Sequence, residues 1–460
     1  MNFIESVASG LASIRSNKMR SALTMLGIMI GVAAVAPLAL LVGVTVGFGV
    51  AAGLGLASPL ESPAAGSTIG ALIALNEALE GMDFQHVNVY VGVSAGAMIS
   101  ALLANGIAPE DMARVFIRPR PGDARFSPLL FLQPNYREYL RRMVNVPPLL
   151  LEGVTKYLRN PLKRGLLESL SGLTRAIPTA IFDNEPMERF LSGLFANRGF
   201  SNDFRKLVKE LYIVAVDLDT GESVRFGGEG MDHVPISRAV QASTALPGLY
   251  PPVKIEGRDF VDGGLKRTLH ASVALDAGCD LLFCINPIVP YDADLAPADE
   301  QKRHHKLVEG GLPVVLSQTF RAMIHSRMRV GMYKYDSLYP QAKIVLFEPD
   351  RHDSRMFFTN VFSYTNRANV CQHAYQTTRR DLRLRREELE PVFASHGIRL
   401  RDAVLEDPNR HFTTALAARG DVGLEDFGAY QNQPANALSG AMDRLERLMR
   451  SPTEAGLIAD

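Results

Sequence analysis

A serine between two glycines is the first candidate for chemistry in this sequence. Residues 92–96 read Gly-Val-Ser-Ala-Gly, with Ser94 at the centre. An apolar, β-branched run precedes it at 87–93, which is typical of a buried strand. Small and apolar residues follow at 95–106, which predicts a helix ended by Gly106. Strand, sharp turn and helix form the arrangement called a nucleophile elbow, in which a serine hydroxyl stands above the sheet at a helix N-terminus.

The elbow predicts a role for each neighbour of Ser94. Gly92 and Gly96 are expected because side chains there would collide with the neighbouring backbone of a strained turn. The amide of Ala95 is placed to donate to a developing oxyanion. The structural alternative is a serine that only caps the following helix.

A serine nucleophile needs a base, and a carboxylate is the better candidate here. Asp262 ends a short apolar strand and is followed by Gly263 and Gly264, which let the backbone turn so that the carboxylate faces inward. None of the ten histidines stands in a segment that marks it as a partner, although His270 follows this motif closely. A plain Asp-Gly turn is the structural alternative for Asp262.

Three motifs, taken in order, resemble the patatin-like phospholipase family. They are GVSAGA at 92–97, ASTALPGLYPPV at 242–253 and VDGGL at 261–265, and the resemblance runs from residue 66 to residue 287. It implies a three-layer α/β/α domain, a catalytic dyad of Ser94 as nucleophile and Asp262 as base, and hydrolysis of acyl esters of lipids, phospholipids among them. No metal-ligand spacing or nucleotide-binding loop is present, so neither a metal nor a cofactor is expected.

The sequence departs from the family at the glycine-rich loop upstream of the elbow, whose backbone N–H groups form the oxyanion hole. Glu61, Ser62 and Pro63 stand where the glycines are expected. Proline has no N–H to donate, and a glutamate sets negative charge beside a developing oxyanion. Gly66 and the amide of Ala95 are therefore the remaining predicted donors.

Two other functions stay open. A chain that keeps Ser94 and Asp262 but has lost the loop would be a membrane-attached, lipid-binding pseudoenzyme. A Ser-His-Asp triad esterase would instead use a histidine such as His270.

The N-terminus predicts a membrane anchor. Residues 21–60 contain no charged side chain, and Arg15, Lys18 and Arg20 precede them. One bilayer span needs only about 20 residues. We therefore predict a single transmembrane helix near residues 22–44.

The apolar text that follows this helix is either a second pass or a buried strand that leads into the next domain. Residues 14–35 resemble the N-terminal segment of macrolide-export-type ABC transporter permeases. The rest of such a permease is missing, so the resemblance indicates an anchor and not transport. The basic flank favours a hydrolase outside the cytoplasm, whereas the sparse cysteines favour the inside.

Composition limits the remaining possibilities. The 460 residues are 47% hydrophobic and carry 49 basic and 49 acidic side chains, so net charge gives no attraction to nucleic acid. An insertion after the elbow has amphipathic helices with a basic surplus, suited to a helical cap or to an anionic membrane surface. We predict an α/β fold with a basic flank at 1–21, an apolar segment at 22–55, a hydrolase domain at 56–290 that includes the cap insertion at 137–205, and a mostly helical extension at 291–460.

Overall fold

The structure, a computed structural model, contains two compact units. The smaller comprises the described residues between Pro134 and Ile181, and the larger comprises those up to Gln133 and from Phe182 onward. The residues that the structure describes are 63–118, 133–159, 171–267, 269–295, 306–353, 356–357 and 366–418.

Strands and helices alternate along the larger unit, as expected of an α/β fold. The strands are β1 (Leu79–Glu80), β2 (Val89–Gly92), β3 (Glu210–Asp217), β4 (Ser223–Phe226), β5 (Val253–Ile255), β6 (Arg258–Asp262), β7 (Leu281–Ile285), β8 (Lys343–Phe347) and β9 (Arg399–Leu400). The helices are α1 (Pro63–Ala78), α2 (Ala95–Ala104), α3 (Pro109–Met112), α4 (Tyr136–Arg159), α5 (Glu185–Phe195), α6 (Ile236–Ser243), α7 (Ala271–Asp276), α8 (Gly311–Leu338), α9 (Asn366–Leu384), α10 (Arg386–Ala394), α11 (Asp402–Leu405) and α12 (Phe412–Ala418).

Strand β3 is the centre of the main sheet. It pairs in parallel with β2 and antiparallel with β4 and β6, and β5 extends the sheet from β6. Its residues from Ile213 to Val216 are all apolar and all buried, which is the pattern of a strand covered on both faces. The sequence at 211–227 predicts a hairpin with its turn at Asp219–Gly221, and β3 and β4 confirm it. Gly221 takes the positive φ of 68° that the tight turn requires.

The register of β3 brings the ends of β2 and β6 to the same height. Gly92 aligns with Ile213 of β3. Asp262 aligns with Ala215, two residues farther along. Strand β4 pairs with both Ile213 and Ala215 from one edge of β3, so β2 and β6 both lie along the opposite edge, and Ser94, two residues after Gly92, approaches Asp262 there.

A second, parallel pair of strands, β7 and β8, lies in the same unit. The apolar runs at 280–287 and 342–350 predict two strands, and β7 and β8 confirm both. Helix α9 packs against α1 so closely that a Cβ on Gly70 would lie 2.2 Å from the carbonyl oxygen of Cys371. The chain beyond residue 290, predicted as a separate extension, therefore shares the core of the larger unit.

The smaller unit holds helix α4 and a 3₁₀ turn at Ser171–Ala176. Buried Glu138 organises it, because its carboxylate accepts hydrogen bonds from Arg142 and from Thr179. The predicted insertion at 137–205 is longer than this unit. Helix α5 accounts for the difference, since it buries Met187 and Leu191 in the core of the larger unit.

The predicted transmembrane helix at 22–44 lies outside the described residues. Within the ranges that the structure describes, no helix combines the length and the apolarity that crossing a bilayer requires.

Candidate active site

Ser94 occupies a strained turn between β2 and α2. Its φ of 54° and ψ of −127° lie in a region that L-residues rarely adopt. Its side chain makes no capping hydrogen bond to the helix, so the alternative of a simple capping serine is wrong. The side chain instead interacts with the carboxylate of Asp262, whose ionised form it stabilises.

The two glycines of the elbow differ in whether packing requires a glycine. A Cβ on Gly92 would lie 2.5 Å from Cα of Ala97, so the close approach of strand and helix requires glycine there. A Cβ on Gly96 would meet nothing within 4 Å. The expectation that both glycines avoid a clash is therefore confirmed for Gly92 and wrong for Gly96.

The amide of Ala95 is available at the start of α2. The amides of Gly96 and Ala97 donate to the carbonyl oxygens of Val93 and Ser94, both at 2.9 Å. In the described part of the chain, no acceptor is paired with the Ala95 amide. A free N–H at a helix N-terminus next to the serine suits an oxyanion donor.

The second predicted donor, Gly66, is the fourth residue of α1. A Cβ there would lie 3.6 Å from Val370, so this face of the residue is turned toward α9. Pro63 is the first residue of α1. Glu61 and Ser62 lie outside the described residues, and the role of Gly66 stays a prediction.

Asp262 is buried, with 4% of its surface exposed. Burial raises the pKa of its carboxyl from 3.8 to about 6, because the ionised form loses its hydration. Hydrogen bonds from Ser94 and from the amide of Gly264 act in the opposite direction and lower the pKa. The result is a carboxylate that is ionised at neutral pH yet more basic than an ordinary aspartate.

The glycines after Asp262 fix the direction of its side chain. The amide of Gly264 donates to Oδ1 of Asp262 at 2.8 Å. The Asp-Gly turn named above as the structural alternative is therefore present, but it does not exclude a chemical role for Asp262. A Cβ on Gly263 would lie 2.2 Å from the carbonyl oxygen of Val214. Any larger residue at 263 would push β6 and its carboxylate away from β3.

Ser243 contacts the elbow, and no local pattern in the sequence predicts this role. Its buried hydroxyl accepts a hydrogen bond from the amide of Ser94 at 3.0 Å and donates to the carbonyl of Val214 at 2.6 Å. Two residues on, the carbonyl of Ala245 accepts from the amide of Asp262 at 3.0 Å. The segment 242–245 thus ties both members of the pair to the sheet. The only sequence signal for it is the motif at 242–253.

His270, the histidine that a triad would use, lies beside this motif, and the triad stays a hypothesis. Its Nε2 lies 3.4 Å from the carbonyl oxygen of Gly263. Burial lowers the pKa of its ring to about 4, so the ring is neutral at pH 7. The hydrogen-bond donors to Asp262 are Ser94 and Gly264.

Comparison with known proteins identifies a family and a solved structure that are similar to this chain. Residues 63–275 match the family model described as patatin-like phospholipase. The crystal structure of VipD from Legionella pneumophila is similar at 14% sequence identity with a TM-score of 0.32, over 70% of this chain and 65% of that one. The chain thus covers less than two thirds of that protein.

The two glycines of the elbow give a matched pair of substitutions. Gly92→Ala should lower the free energy of unfolding by about 1–3 kcal/mol, because the new methyl overlaps Ala97. Gly96→Ala should raise it by up to about 1 kcal/mol, since the space is open and alanine favours the helix. Urea denaturation measures both, and equal losses in the two variants would contradict the packing described.

Ser243→Ala tests whether this hydroxyl positions the elbow. The matched control is Ser237→Ala, because Ser237 is equally buried on the same helix but bonds to Glu188 and Asn202 instead. Each variant should lose about 1–3 kcal/mol of stability, as expected when a buried partner is left unpaired. Only Ser243→Ala should also slow modification of Ser94 by a fluorophosphonate, by about tenfold. Equal rates in the two variants would leave Ser243 a purely structural residue.

Proposed function

Residues 63–275 belong to the patatin-like phospholipase family, and from that premise we propose that this protein hydrolyses acyl esters of lipids with Ser94 as nucleophile and Asp262 as general base. The observation that supports the proposal is the convergence of Ser94 and Asp262 at one edge of β3, where the Ser94 side chain stabilises the ionised form of a buried carboxylate. A structural serine has no need of such a partner. A general base requires this contact.

The reaction follows from the groups in place. Oγ of Ser94 attacks the ester carbonyl carbon, and its proton passes to the carboxylate of Asp262. Asp262 then protonates the leaving alcohol as the carbon–oxygen bond breaks, which leaves an acyl-serine. Water attacks the acyl group with Asp262 again accepting its proton, the fatty acid departs, and the proton returns to Ser94.

Electrostatics favour these steps at neutral pH. A base works best when its pKa lies near the working pH, and burial brings Asp262 to about 6. Negative charge on Ser94 or on the substrate oxygen develops at the N-terminus of α2, where the helix dipole is positive. The amide of Ala95 is the donor nearest to that charge along the chain.

The exposed face of helix α4 supports the proposal that the protein acts at a lipid surface. One of its faces carries apolar side chains at steps of three or four residues, and these are exposed by between 40% and 74%. They are Tyr136, Leu140, Met143, Val144 and Leu151. Arg137 and Arg141, also exposed, border this face. An apolar face with a basic margin is what an anionic membrane interface binds.

The apolar N-terminus agrees with the same location. We extend the proposal to a membrane anchor at residues 22–44, which the sequence favours through length, apolarity and a basic flank.

A fluorophosphonate probe on the full chain tests the dyad. The probe should label the protein, Ser94→Ala should abolish labelling, and Asp262→Asn should slow it by about 10²–10⁴-fold, the usual contribution of a general base. Because the carboxylate is the active form, the labelling rate should be half-maximal near pH 6 and fall about tenfold per unit below it. His270→Asn should stay within a few-fold of the parent.

The outcomes separate the alternatives. Folded protein that is not labelled at any pH would favour the lipid-binding pseudoenzyme. A loss in His270→Asn as large as that in Asp262→Asn would favour the triad esterase.

Val144→Asp tests the lipid-facing helix. The change places a charge in the apolar face of α4 and should weaken binding to vesicles of phosphatidylglycerol and phosphatidylcholine by several-fold. Val208→Asp is the matched control, since Val208 is 94% exposed in the larger unit and Val144 is 74% exposed. Flotation of vesicles with residues 1–44 deleted in all samples removes the anchor from the comparison. Equal binding by the two variants would contradict the assignment.

A further inference from the structure

We propose that the outer side of helix α8 is a docking surface for an anionic lipid bilayer. Helix α8 belongs to the larger unit, which holds Ser94 and Asp262, whereas helix α4 belongs to the smaller unit. The proposal does not depend on the chemistry assigned to Ser94, because a lipid-binding protein without activity would use the same surface.

The inner side of α8 packs on a core. Tyr335 is buried in a cluster with residues of α7 and β7, Leu275 and Leu282 among them. Met328 is also buried, with 5% of its surface exposed. Met328 and Tyr335 are seven residues apart and therefore lie on the same side of the helix. This stripe accounts for one side of α8.

The outer side of α8 is apolar as well. Four of its side chains follow one another at intervals of eight, seven and three residues, which places them on one side of a helix, and they are exposed by between 39% and 66%. They are Val315, Met323, Val330 and Tyr333. Val330 is two residues from Met328, which is about 200° around the helix axis. Helix α8 therefore has apolar side chains on two opposite sides, and the core covers only one of them.

An apolar stripe of this length indicates an interaction surface. From Val315 to Tyr333 it extends over about 27 Å of helix. Apolar side chains that are exposed singly are ordinary in soluble proteins, whereas a contiguous apolar patch marks a site of contact with a protein or a membrane. A helix that is apolar on all sides is normally covered on all sides.

Charge identifies the partner as an anionic surface. Between residues 311 and 338 the sequence has four lysine or arginine residues and one acidic residue. Arg329 and Lys334 are exposed, and the guanidinium carbon of Arg329 lies 5.9 Å from the centre of the Tyr333 ring. Positive charge thus borders the apolar stripe. Apolar side chains with a basic margin bind the interface of an anionic bilayer.

The same charge disfavours a second copy of the chain as the partner. In a two-fold dimer the same patch faces itself, so two basic margins would meet and repel each other. A bilayer that contains anionic lipids offers the opposite charge and an apolar interior together.

Arg327 links the helix to the segment that carries Asp262. Its Nη1 donates a hydrogen bond to the carbonyl oxygen of Leu265 at 2.8 Å, and Leu265 follows Asp262 by three residues. Just beyond the end of α8, the hydroxyl of Tyr339 donates to Oδ1 of Asp276 at 2.5 Å. The helix is thus fixed beside the loop that follows the carboxylate, and a bilayer on its outer side would hold that loop close to lipid.

Single tryptophans in the full chain test the surface, because the sequence contains no tryptophan of its own. The chain is reconstituted in vesicles of phosphatidylglycerol and phosphatidylcholine. Emission from Val330→Trp and from Tyr333→Trp should move to shorter wavelength and should be quenched several-fold by lipids with brominated acyl chains, since such helices bury their apolar face about 5–10 Å into the interface. In phosphatidylcholine alone the quenching should be several-fold weaker, because the anionic charge is missing.

Val208→Trp is the matched control, because Val208 is 94% exposed in the same unit and lies outside α8. Its emission should not be quenched. All variants also carry Ser94→Ala, so that hydrolysis of the lipid does not affect the reading and a failure here is distinct from a failure of the proposed reaction.

Quenching at positions 330 and 333 that is no stronger than at position 208 would overturn the proposal. Short-wavelength emission that bromine does not quench would overturn it as well. If that emission depends on the ratio of protein to lipid, the cover is a second copy of the chain. If it is independent of the ratio, the cover is another part of the same chain.

Discussion

The site depends on a carboxylate that is kept away from water yet held against a hydroxyl. Asp262 loses its hydration on burial, which raises its pKa to about 6. It keeps a hydrogen bond from the amide of Gly264 and an interaction with the Ser94 side chain, and both lower the pKa, so the ionised form is still accessible at neutral pH. A carboxylate in water would be too weak a base, and one without hydrogen bonds would stay protonated. The proposed mechanism without a histidine depends on this balance between burial and hydrogen bonding.

That balance rests on the order of strands around β3. Strands β2 and β6 lie along the same edge of β3, opposite β4, so Ser94 leaves β2 close to the point where Asp262 pairs with Ala215. The segment 242–245 then holds both, through Ser243 to the Ser94 amide and through Ala245 to the Asp262 amide. The strained backbone of Ser94 is maintained because several contacts fix its position at once.

Local pattern in the sequence is enough to predict the elements that carry chemistry. Alternation of apolar residues, the positions of glycines and the turn residues predict the elbow at Ser94, the strand ending at Asp262 and the hairpin of β3 and β4. The meeting of Ser94 and Asp262 does not follow from those patterns, because register between distant strands is a tertiary property. It was available only through the resemblance to a family.

Other features can be recognised only in the folded structure. Gly92 and Gly96 look alike in the sequence, but only Gly92 faces backbone at contact distance. Ser243 has no local signature, since its role comes from β3 and the elbow lying on either side of it. The sequence predicts α9 as part of a separate extension, because its many charged side chains are typical of a solvated helix. The helix nevertheless has a buried stripe, which includes Cys371 and Tyr375 and packs on α1. A charge-rich sequence pattern says little about which side of a helix meets a core.

The most direct test of this account is the ionisation of Asp262 itself. Carbon-13 NMR of protein labelled at the aspartate carboxyl carbons, with the signal assigned by its absence in Asp262→Asn, gives that pKa without reference to any substrate. The account predicts a titration near pH 6, moved upward in Ser94→Ala because the hydroxyl no longer stabilises the ionised form. A titration near pH 4 that is the same with and without the Ser94 hydroxyl would contradict it.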